Sequence, residues 1–182
     1  MQSEFTHSNA MTFDTMKSEE AHFDTEKTAY GKQTSVLSEP MKLRPHHLLC
    51  TQGFQGKGYS EDFVSNMKHY VKQMRENPDF RVTITDETDD LCSSCPNKLS
   101  QKSCRDDEKV LLFDKNVLDL FDIKSGETYS YQSLIRIIDE NMTAEKMKRI
   151  CGDCSWFKVS ACMKNVLEKK YLLSTDGKKT EI

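Results

Sequence analysis

No apolar run in this chain approaches the length needed to cross a bilayer. The longest, such as VLLF at 110–113, spans four residues where a membrane helix needs roughly twenty. Nor is there an excess of one charge: 26 Lys and Arg face 29 Asp and Glu, a formal net of −3. That balance excludes the basic field of a nucleic-acid binder, so no nucleic-acid partner is expected, and no membrane partner either. The opening MQSEFTHSNAMTFD lacks the charged start, apolar core and small-residue cleavage site of a secretory signal, so the expected compartment is the cytoplasm. A Walker pattern, a Ser-His-Asp order and paired catalytic carboxylates are also missing, which leaves a hydrolase or kinase without support. Whether the chain is an enzyme stays open at this stage.

Cysteine, by contrast, is plentiful: seven in 182 residues. An odd count in a reducing compartment does not suit a disulfide framework and points to metal binding or thiol chemistry.

Two materials make up the chain. Residues 1–40 are rich in Ser, Thr, Glu and Lys without a sustained apolar period, and read as a disordered polar leader. Their seven acidic and three basic residues make a net of −4, so the remainder carries about +1. Met41 stands where the ordered pattern begins, which suits a leader upstream of the natural start. Residues 41–182 read as one cysteine-rich metal-binding domain, mainly α with a small β element.

Pro45 suits the first position of a short helix through HHLLCTQGF, stopped by the glycines of GKG. Ser60 caps a second helix, with Phe63, Met67, Tyr70, Val71 and Met74 at helical spacing before Asn77 and Pro78 end it. FRVTITD alternates as a strand, with Val82 and Ile84 on one face. Val110, Leu111, Val117, Leu118 and Phe121 predict a long helix, YSYQSLIRIIDENM another, and Thr143 caps a third through AEKMKRI. The stretch MKNVLEKKYLL reads as a last helix that frays in STDGKKTEI.

The cysteines fall into one figure used twice. Cys92, Cys95 and Cys104 form C-x2-C-x8-C; Cys151, Cys154 and Cys162 form C-x2-C-x7-C, with 46 residues between the two groups. A C-x-x-C turn lets two thiolates converge on one metal centre, and Pro96, Gly152 and the adjoining Ser and Asp residues are turn formers. Each triplet is one ligand short of four. The missing donors are available in RPHHLLC at 44–50, where His46 and His47 stand one helical turn before Cys50. Cys50 would complete one triplet as a four-thiolate site and a histidine the other as Cys3His. The second histidine would hydrogen-bond behind the ligands. Cys50, between apolar neighbours, also reads as a small buried residue.

Spacing alone leaves the metal undecided. The 55 residues between Cys95 and Cys151 exceed the short connection of a zinc ribbon, while iron–sulfur clusters tolerate varied spacing. A thiol oxidoreductase using Cys151 and Cys154 is a further class, but a helical stretch, not a strand, precedes CGDC.

LRPHHLLCTQGFQGKGYSEDFV, TDDLC and CGDCSWF together resemble an uncharacterised family of small bacterial and archaeal proteins. That family has an Arg-Pro-His-His-Leu-Leu-Cys start and a Gly-Lys-Gly-Tyr-Ser loop. The resemblance runs over about residues 41–165 and implies iron–sulfur binding over zinc, with Cys50 and both triplets as ligands. Arg44, Lys57 and Tyr59 lie in the shared motifs, and Trp156 is expected to pack over the metal site. The expected function is thus an iron–sulfur protein, with a 4Fe-4S cluster, in electron transfer or redox sensing. It would work with an unidentified redox or protein partner. The alternative is a zinc-stabilised structural or binding module.

Overall fold

A computed structural model of the protein describes residues 39–173. The leader expected over 1–40 lies outside the described residues except for its last two, and so does the fraying end from 174 onward. Among the described residues the fold is mainly α with a small β element.

Three short strands form the sheet: β1 (Met41–Leu43), β2 (Arg81–Ile84) and β3 (Thr128–Ser130). The central strand is β2, parallel to β1 with Leu43 opposite Ile84, and antiparallel to β3 with Val82 opposite Tyr129. A parallel pair needs a crossover. It is supplied by α1 (His47–Gly53) and α2 (Glu61–Glu76). After β2 come a 3-10 turn (Leu91–Ser94) and α3 (Asp107–Phe121), then α4 (Tyr131–Asn141), α5 (Ala144–Cys151) and α6 (Cys162–Leu167).

The helix starts follow from local chemistry. The Ser60 Oγ accepts from the Phe63 N–H at 3.1 Å, and Glu61 and Asp62 meet the positive end of the α2 dipole. Thr143 does the same for α5 through the Lys146 N–H at 3.1 Å. At the far end of α3, Asp122 takes the left-handed conformation (φ 51°) that closes a helix, one that Asp tolerates better than most residues.

One apolar core joins these elements. Leu43, Val82 and Ile84 from the sheet meet Leu48 and Leu49 of α1, Met67, Val71 and Met74 of α2, and the buried stripe Leu134, Ile135, Ile138 of α4. Tyr70, expected among the core residues of α2, is only half-buried. Three local expectations are corrected. Pro45 stands before α1 rather than on its first turn, because the chain bends there, with the Leu48 N–H donating to the Pro45 carbonyl at 3.2 Å. Tyr129 and Ser130 belong to β3, held by pairing to β2, and α4 begins at Tyr131. The last helix ends at Leu167, and Lys169 turns the backbone with φ at 51° before Tyr171 and Leu172.

Candidate metal-binding site

Helix α1 is short, and neighbours fix its end. The Arg75 Nη2 donates to the Phe54 carbonyl at 3.1 Å and also to the Thr51 carbonyl. The Asn165 Nδ2 donates to the Gln52 carbonyl at 2.7 Å. These donors satisfy carbonyls that a helix C-terminus leaves unpaired. They also hold His46, His47 and Cys50 in fixed positions.

Both histidines have carboxylates behind them. The His46 Nδ1 lies 2.6 Å from Asp114 Oδ1, and its backbone N–H donates to the same oxygen at 3.0 Å. The His47 Nδ1 lies 2.6 Å from Asp89 Oδ2. The two rings are neighbours, with centroids 4.2 Å apart. Burial, then the nearby His47, lowers the His46 pKa against the pull of Asp114, so the ring is neutral near pH 7. A neutral His46 donates its Nδ1 proton to Asp114 and keeps Nε2 as a free electron pair.

Asp114 in turn is the anchor of Arg44, whose side chain is 1% exposed. The guanidinium donates from Nε at 2.8 Å, and Nη2 lies 2.7 Å from the same carboxylate. Burial opposes the charge on Asp114, but His46 and Arg44 outweigh it and hold the carboxyl below the usual range. Asp89 likewise stays ionised despite burial, because His47, the Arg44 N–H at 2.7 Å and the Cys92 N–H at 2.9 Å all face it.

Cys50, Cys151, Cys154 and Cys162 line one cavity of about 180 Å³ together with His46 and His47. The segments that bring them are far apart in sequence: α1, the end of α5 with the turn after it, and the start of α6. In that turn the Cys154 N–H donates to the Cys151 carbonyl at 2.9 Å and the Phe157 N–H to the Cys154 carbonyl at 3.0 Å. The Ser160 hydroxyl donates to the Cys162 Sγ at 3.0 Å. Tyr59 and Trp156 meet edge to face at 5.6 Å on the wall of the same cavity. Burial, and then the three other thiols, push the Cys50 thiol far up. Cys151 is pushed up to about 12 by burial first and by Cys154 and Cys162 next. Thiols gathered this closely ionise together more readily beside a cation.

The other triplet is built differently. Cys92 is buried in the 3-10 turn, and burial followed by the facing Asp89 pushes its thiol up. The Cys95 N–H donates to the Cys92 carbonyl at 3.0 Å and the Lys98 N–H to the Cys95 carbonyl at 3.1 Å, and burial pushes the Cys95 thiol up. Cys104 returns alongside by an isolated antiparallel bridge to Lys98, and burial pushes its thiol up. Arg44 lies within electrostatic reach of both Cys92 and Cys104. The ligand atoms of His47, Asp89 and Cys92 all lie within 4.8 Å of one another. All seven thiols are free.

This arrangement has the donor set of a thiolate metal site. It does not have that of a redox dithiol, because Cys151 ends α5 instead of opening a helix and its thiol is raised, not lowered. Lys57 and Tyr59 line the cavity, while Arg44 lies behind the histidines, joined to His46 through Asp114 and, by its backbone N–H, to His47 through Asp89. The sequence did not flag Asp89, Asp114 or Gly53. Asp114 had a signal: it shares the buried stripe of α3 with Val117 and Phe121, where a carboxylate needs a partner.

The molecule is thus a cysteine-rich, mainly α domain with clustered thiols. A model of the family described as protein of unknown function, DUF1284, matches residues 58–160, more than half of the chain, and the chain belongs to that family. The match contains Cys92, Cys95, Cys104, Cys151 and Cys154; RPHHLLC and Cys162 lie outside it. No curated protein and no solved structure matches the chain. Among the described residues no helix is long and apolar enough to cross a membrane.

Proposed function

We propose that the protein is an iron–sulfur protein of electron transfer or redox sensing, with Cys50, Cys151, Cys154 and Cys162 holding a 4Fe-4S cluster. One observation carries the reading: four thiols from three separate segments face a single cavity of about 180 Å³. A lone zinc ion, bound at about 2.3 Å, would draw four sulfurs to roughly 3.8 Å from one another and leave no such space. A cluster fills the space between its ligands.

The cluster, when bound, accepts and returns one electron. The chain's own residues set the conditions. Tyr59 and Trp156 line one wall of the cavity, and the Ser160 hydroxyl stabilises the Cys162 thiolate, which makes added negative charge easier to hold. The neutral His46, its proton held at Nδ1 by Asp114, offers Nε2 as an acceptor on the cavity wall.

The test is anaerobic purification of the full chain, with iron, acid-labile sulfide and the visible spectrum measured before and after dithionite. The reading expects brown protein that bleaches on reduction, and loss of about four irons and four sulfides in a C151S/C154S double variant. If that variant keeps its iron and sulfide, or the wild-type chain contains only zinc, the reading fails.

A further inference from the structure

The second cysteine triplet shares no thiol with the cavity just described, and its surroundings are prepared for a metal of its own. Cys92 and Cys95 stand on one tight turn, and Cys104 returns beside it by a short antiparallel bridge at Lys98, all within a span of thirteen residues. The turn is closed by backbone bonds: the Cys95 N–H donates to the Cys92 carbonyl at 3.0 Å, the Lys98 N–H to the Cys95 carbonyl at 3.1 Å and the Arg105 N–H to the Asn97 carbonyl at 2.8 Å. Arg44, which cannot deprotonate, adds positive charge within reach of Cys92 and Cys104.

The fourth donor is the remaining question. Asp89 and His47 both stand within 4.8 Å of the Cys92 sulfur, but Asp89 is already occupied. Its oxygens accept from the Arg44 N–H at 2.7 Å, the Cys92 N–H at 2.9 Å and the His47 Nδ1 at 2.6 Å. His47 spends only Nδ1 on that contact and keeps Nε2. A histidine whose outer nitrogen is tied to a carboxylate is the usual form of an imidazole metal ligand.

We propose that Cys92, Cys95 and Cys104, with His47 as the fourth ligand and Asp89 as the residue that positions it, form a second metal centre distinct from the four-thiol cavity. Three thiolates and one imidazole select a soft or borderline metal: zinc, or iron within a second cluster. The centre stands whether or not the cavity holds the cluster proposed above.

The experiment measures zinc, iron and sulfide per chain in the anaerobic wild-type protein and in two double variants, C92S/C104S and C151S/C154S. We expect C92S/C104S to lose a complement of metal that C151S/C154S keeps. Zinc lost alone identifies a mononuclear centre; about half the iron and sulfide lost identifies a second cluster. If C92S/C104S retains the full wild-type metal content, the second centre does not exist. If its metal falls but that of C151S/C154S does not, the second centre stands and the cluster reading above fails.

A measurement on the unaltered chain guards against a variant that does not fold. Cys95 and Cys104 are partly exposed, so without metal iodoacetamide can reach them. We expect both to be protected in the native anaerobic chain and to react at least tenfold faster after chelation. Labelling at the same rate in both states overturns the proposal. X-ray absorption at the metal edge then tests His47: nitrogen scattering at this centre should vanish in H47A and persist in D89N with an altered ligand distance. Nitrogen scattering that is unchanged in H47A removes His47 from the ligand set.

Discussion

Gly53 and Cys162 meet so closely that no side chain fits between them. A Cβ on Gly53 would lie 2.0 Å from the Cys162 Sγ and 2.8 Å from its backbone nitrogen. The contact seats α6 against the last turn of α1 and thereby sets where the Cys162 sulfur stands relative to Cys50.

Gly53→Ala should therefore destabilise, although alanine is the better helix former by about 1 kcal/mol. The displaced neighbours are a sulfur and a backbone, not a flexible side-chain tip, so overpacking should cost about 1–3 kcal/mol net. Metal retained at the four-thiol cavity should fall by half or more in G53A. Denaturant unfolding and metal content report the two effects; a variant as stable and as metal-loaded as wild type would show that α6 shifts freely.

Asp114→Ala leaves a guanidinium buried without its carboxylate. Arg44 is 1% exposed, and breaking a buried pair by removing one partner costs about 3–5 kcal/mol. The same variant releases the His46 ring from its fixed tautomer. Urea unfolding of D114A gives the number. A loss below about 1 kcal/mol would mean that Arg44 turns to Asp107, now 3.9 Å away.

Asp139 makes a pH prediction that does not involve the thiols. Burial raises its carboxyl to about 7, against the hydrogen bond that Gln52 donates at 3.0 Å. Its Oδ2 has no hydrogen-bond partner among the described residues. Because the folded value exceeds the unfolded one, the folded chain keeps a proton between about pH 4 and 7 that the unfolded chain releases. Stability should fall as pH rises through that window and level off above it. Asp139→Asn should flatten this dependence, gaining on the order of a few kcal/mol at pH 8 and almost nothing at pH 4. Thermal unfolding at the two pH values decides it; equal gains at both would place the titration elsewhere.

Trp156→Ala opens the side of the cavity that the Tyr59–Trp156 pair covers. The proposed cluster should then bleach several-fold faster in air-saturated buffer, with Trp156→Phe intermediate. Unchanged decay of the visible absorbance would mean that oxygen reaches the cavity by another path.

Much of the helical framework was legible because its signals are local. Ser60 and the spacing of Phe63, Met67, Val71 and Met74 mark α2, and Thr143 marks α5. Strands β1 and β3 were not legible. Three residues show no period, and both exist only through pairing with β2, about forty residues away in either direction. The site divides in the same way. The C-x-x-C turns and the histidines announce themselves, but two facts rest on tertiary packing. One is that Cys50 lines a cavity with Cys151, Cys154 and Cys162; the other is that His47 stands beside Cys92. Asp89 and Asp114 reach their histidines across 42 and 68 residues, which no local pattern encodes.

Helix α1 presents His47 toward one thiol set and Cys50 toward the other, three residues apart on a single helix. Arg75 and Asn165 clamp its end, so it moves as one rigid strut. Because those clamps have already ordered the strut, it would present donors to both proposed centres without a further ordering cost, and any coupling between them would be reciprocal.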